Sequence, residues 1–74
     1  MNKQDRNEIE AIINILTDAQ SRIETLGENE QEKFDNLSEG LQQAERGQKM
    51  EEDASTLSDI SSNLSDVIES LQEF

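Results

Sequence analysis

The sequence predicts an all-α protein. It should be an antiparallel helical hairpin with a kinked or broken central segment and coiled-coil-like packing, and it should be homo-oligomeric. Three observations carry this. Met50, Leu57, Leu64 and Leu71 recur every seven residues, with Ile60, Val67 and Phe74 three places after the last three of them. Ile9, Leu16 and Ile23 repeat the period near the start, followed at the same offset by Ile12, Ala19 and Leu26. No proline interrupts either segment. Such spacing is the a/d pattern of packed helices, here with Asp53 as the one polar d position. The composition is that of many disordered chains, with a net charge of −12, 31% hydrophobic residues and two Phe as the only aromatics. The regular placement of the apolar residues argues for folding instead.

The first helix is expected over about residues 4–34, running through Gly27 at a cost of about 1 kcal/mol for the glycine. A competing reading ends it at Gly27. Asp35 and Asn36 supply turn chemistry over about 35–38, and Ser38 is a natural N-cap with Glu39 in the first turn behind it. A short helix over about 39–46 should break or bend at Gly47, and a C-terminal helix should run over about 48–73. All of 1–74 forms one helical domain. Below about 80 residues a single core rarely supplies more than about 3–5 kcal/mol. With no Cys or His to add a disulfide or a zinc site, self-association is the remaining support. The apolar residues outside the a/d rows, Ile13, Ile15 and Ile68, are the expected oligomer interface.

The absences narrow the function. No Cys and no His exclude thiol chemistry, His-based acid–base chemistry and Cys/His zinc sites, and no Glu-x-x-His pair offers a helical di-metal site. Carboxylates are plentiful, but a short hairpin has little interior in which to displace their pKa, so an enzyme is not expected and no cofactor or metal is implied. The acidic balance excludes direct nucleic-acid binding by phosphate contact. No apolar run reaches the ~20 residues of a membrane span and Met1–Arg6 is too polar for a signal peptide, so a cytoplasmic location is expected.

Charge is unevenly spread. Residues 50–74 hold seven acids and no base, and Glu52, Asp59, Asp66 and Glu73 fall on one helical stripe. That stripe suggests an acidic nucleic-acid mimic, yet a carboxylate every ~10.5 Å is sparse beside the ~1.7 Å charge spacing of duplex DNA. A solvated face that keeps a small protein in solution is the favoured account. In the centre, Lys33, Arg46 and Lys49 would gather with Phe34, Leu37 and Leu41 at the turn end of the hairpin. This end is the candidate contact site for a partner protein or a small anionic ligand. The bland alternative is that the apolar three cap the core while the bases pair with Glu30, Glu45 and Asp53.

The stretch from Phe34 to Glu52, read as Phe34-Asp35-Asn36-Leu37-Ser38-Glu39-Gly40-Leu41-Gln42 and on through Gly47 to Met50-Glu51, resembles a motif of small acidic phage and prophage helical proteins. In those a proline usually stands where this chain has Ser38, which here leaves the helix start less rigidly set. The resemblance implies a phage-type accessory protein in a bacterial host cell. Its expected partners are itself and a host or phage protein, with protein–protein contact as its mode of action. Sequestration of an anionic nucleotide signal of host defence is the alternative, suggested by layout rather than by motif.

Overall fold

The computed structural model describes residues Met1–Phe74 as three helices, α1 (Lys3–Asp35), α2 (Glu39–Gln43) and α3 (Glu45–Leu71). The expected all-α hairpin is what forms: α1 and α3 lie antiparallel in a rod 58 Å long and 14 Å by 12 Å across its Cα atoms. Helix α1 starts at Asn2, whose Oδ1 accepts from the Asp5 amide at 2.7 Å. It continues unbroken through Gly27 for 33 residues, so the reading that stops it there is overturned. The turn falls at Asn36–Ser38, and Ser38 caps α2 by accepting from the Leu41 amide at 3.4 Å. The break before α3 comes at Ala44, whose ψ of 160° is extended, and not at Gly47. Gly47 sits buried in the first turn of α3, against the Leu41–Gln42 backbone.

Two contacts set the register. Gln20 Nε2 donates to the Ser61 carbonyl at 3.2 Å, and a methyl added at Gly27 would lie 3.6 Å from the Ala54 carbonyl oxygen and 3.3 Å from Leu57 Cβ. Residues 20 and 61, like 27 and 54, sum to 81. Position n of α1 therefore lies level with position 81 − n of α3.

Of the two rows the heptads suggest, the a row is correct in both helices: Ile9, Leu16 and Ile23 face Met50, Leu57, Leu64 and Leu71, all half-buried. The second row is not. The seam uses positions four after each a residue instead of three: Ile13, Gln20, Gly27 and Phe34 on α1, and Gly47, Ala54, Ser61 and Ile68 on α3. Ile13 and Ile68, expected at an oligomer interface, belong to this internal seam, and Ile68 is only 8% exposed. Small residues at Gly27, Gly47, Ala54 and Ser61 let the helices approach closely. The consequence is a thin interior. Ala54 and Ile68 are the only buried hydrophobic residues, and no large side chain is wholly buried.

One seam layer is polar. Ser61 is buried and its carbonyl also serves the α3 helix, so the Gln20 bond is an addition and not its only partner. A polar seam residue fixes register at a cost in stability. Gln20→Leu is accordingly expected to raise the urea midpoint, with a gain of about 1 kcal/mol in unfolding free energy, because it buries apolar area and strands no backbone group. A lowered midpoint would mean that the Gln20–Ser61 bond carries more than register.

Candidate functional site

The turn end brings together part of the expected contact site. Phe34 and Leu37 are half-buried in the end of the seam, whereas Leu41 on α2 is 56% exposed. Gln42 Nε2 donates to the Phe34 carbonyl at 3.0 Å and Gln48 Nε2 to the Gln42 carbonyl at 2.9 Å, which fastens α2 across the end. Two of the three bases are already paired. Lys33 Nζ lies 3.0 Å from Glu30 Oε1, and Lys49 Nζ lies 2.9 Å from Asp53 Oδ1. The hydrogen bond to Asp53, then the charges of Asp53 and Glu52, raise the Lys49 pKa above its ordinary value near 10.5. Only Arg46 has no carboxylate partner within 4 Å. Lys33 and Lys49 are thus held by acids of their own helices, and Arg46 alone of the three is not.

The acidic stripe is where the spacing put it. Glu52, Asp59, Asp66 and Glu73 are all exposed, on the side of α3 away from the a row. Beside the seam runs a polar groove of about 630 Å³, lined from both helices by Gln20, Glu24, Glu28, Ser58, Asp59 and Ser62 among others, with Ala54 its one hydrophobic residue. Its carboxylates oppose an anionic ligand, and it lacks the apolar lining that small-molecule sites usually have. No three carboxylates converge to hold a metal ion, and no helix is long and apolar enough to cross a membrane.

The opposite flank is different, and it holds residues that the heptad spacing puts in the seam. In an antiparallel pair, equivalent positions of the two helices lie on the same side of the plane through both axes. The groove residues outside the seam, Glu24, Glu28 and Gln31 on α1 and Ser58, Ser62 and Ser65 on α3, sit on one such side, so the d residues of both helices share the other. There the nearest d residues of the two helices pair as rungs two residues, about 3 Å, off strict level: Ile12 with Val67, Ala19 with Ile60, Leu26 with Asp53, and Lys33 with Arg46. Ile12 is 37% exposed, Ile60 40%, Val67 47% and Leu26 56%, and Ile15 stands beside them at 68%. Of the three expected interface residues, Ile15 alone is on this surface. Its signal in the sequence is the d row itself, whose large apolar residues imitate the second row of an intrachain seam.

Charge follows the same division. The d row and the neighbouring row of Ile15 carry four bases, Arg22, Lys33, Arg46 and Lys49, against three acids, Asp5, Glu8 and Asp53. The groove side and the outer faces carry thirteen acids and one base, Lys3. A chain of net charge −12 therefore has one apolar, near-neutral flank. Comparison with protein-family models, curated proteins and solved structures finds no significant match.

Proposed function

We propose that this chain is a non-enzymatic accessory protein of phage type that acts through protein–protein contact. Its contacts are with itself and with a host or phage protein that it binds or inhibits. The observation that carries this reading is the flank of d residues: four sizeable apolar side chains, Ile12, Leu26, Ile60 and Val67, stand exposed in line on a protein with two buried hydrophobic residues. Contiguous apolar patches of this kind mark interaction surfaces. The phage attribution rests on the motif resemblance around Phe34–Glu52.

Two measurements separate this reading from its rivals. Thermal melting with and without an anionic cyclic or linear nucleotide should show no shift, whereas a saturating rise of several degrees would replace the reading with ligand sequestration. Binding to a basic nucleic-acid enzyme that weakens steeply with salt would point to the Glu52–Asp59–Asp66–Glu73 row and to mimicry. Contact through the apolar flank should be nearly indifferent to salt.

A further inference from the structure

We infer that the occupant of the apolar flank is a second copy of this chain, docked antiparallel to form a four-helix bundle with the turn ends at opposite ends. The inference rests on the contact reading above and gives it a partner and a geometry.

Charge is the first argument. Two copies of a −12 protein repel across almost any pair of surfaces, but the flank has nearly no net charge to oppose the approach. A partner chosen by electrostatic attraction would instead meet the acidic faces. Area is the second. The d row of α1, from Asp5 to Lys33, spans 28 residues, or roughly 40 Å. With a helix pair about 20 Å wide, this is about 600–800 Å² per copy, which reaches the ~1,200 Å² total that a specific interface needs.

The third argument fixes orientation. Ala19 is the middle d residue of α1, and Ile60 on α3 forms its rung, within about 3 Å of its level. A two-fold axis through that rung, lying across the helices, sets α1 on α1 and α3 on α3 of the second copy. Ala19 then meets its equivalent, allowing close approach, and Ile60 meets Ile60. Ile12 faces Leu26, Asp5 faces Lys33, and Val67 faces Asp53. The alternative, with turn ends together, sets Lys33 on Arg46 twice and leaves Asp5 with no base opposite it. It places the same-sign charges in register and is disfavoured for that reason.

The absence of cysteine makes the test clean. Sedimentation equilibrium should give twice the 8.4 kDa chain mass at micromolar concentration. The double variant Ile60→Ser/Val67→Ser, at positions exposed in the single hairpin, should keep its helical circular dichroism while associating at least about 100-fold more weakly. Ser62→Arg, on the groove side, should associate as the parent does. Under mild oxidation Ala19→Cys should cross-link to itself, since only a Cα separation below about 7 Å allows a disulfide. A dimer in which Ala19→Cys cross-links only to added Ile60→Cys protein overturns the orientation, and a dimer lost with Ser62→Arg overturns the surface. A helical monomer at all concentrations overturns the inference outright. Neither of the two dimer outcomes touches the contact reading, which falls on the nucleotide melting experiment instead.

Discussion

Ile68→Ala is expected to lower the thermal midpoint by at least about 10 °C and to leave a large unfolded fraction at 37 °C. Ile68 is the only long aliphatic side chain in the buried set, at 8% exposure, and it lies level with Ile13 across the seam. Truncating a buried Ile costs about 2–4 kcal/mol through lost transfer energy and the cavity left behind. A hairpin of this size has about 3–5 kcal/mol to lose. One kcal/mol moves the midpoint of a domain this small by about 4–8 °C. Ile60→Ala serves as the comparison. Ile60 is 40% exposed within the hairpin, so in dilute solution, where single hairpins prevail, its truncation should cost less than half as much. Circular dichroism melts of the two variants at low concentration measure the contrast. Equal losses would mean that the seam does not run through Ile68.

That contrast also explains what the sequence concealed. The a row was legible, because Leu57, Leu64 and Leu71 at intervals of seven admit no other period, and so were the continuity of α1 through Gly27 and the Ser38 cap. The second row was not legible from hydrophobicity. Ile12, Ala19, Leu26, Ile60, Val67 and Phe74 are more apolar as a set than Gly27, Gly47, Ala54 and Ser61, and the eye pairs the larger residues. Two helices alone can enclose only one flank of the a row, and they pack most closely where side chains are small. Gly47, Ala54 and Ser61 at intervals of seven were the available sign, with Gly27 opposite. The candidate site was legible in composition but not in place. Lys33 and Lys49 have acids three and four residues away on their own helices, and such neighbours hold each other before they hold a ligand.

Gly47→Ala and Gly40→Ala, seven residues apart, are expected to move stability in opposite directions. Both glycines are helical and neither has positive φ, so propensity alone would make each alanine stabilising by up to about 1 kcal/mol. At Gly40 nothing lies within 4 Å of the added methyl, and the gain should appear as a small rise in the midpoint. At Gly47 the methyl would overlap the Leu41 carbonyl oxygen and lie 2.8 Å from both Cα and O of Gln42. These are backbone atoms with no rotamer to change, so relief requires opening the corner between α2 and α3. Overpacking of this kind costs about 1–3 kcal/mol, more than propensity returns. The opened corner would also strain the Gln48 bond to the Gln42 carbonyl and the Gln42 bond to the Phe34 carbonyl, which hold the turn end together. Gly47→Ala should therefore lower the midpoint by several degrees and speed amide exchange in residues 38–48, with the seam around Ile68 unaffected. If it raised the midpoint as Gly40→Ala does, α2 would be free to move aside. The basic end with Lys33, Arg46 and Lys49 would then be an adjustable surface instead of a fixed one.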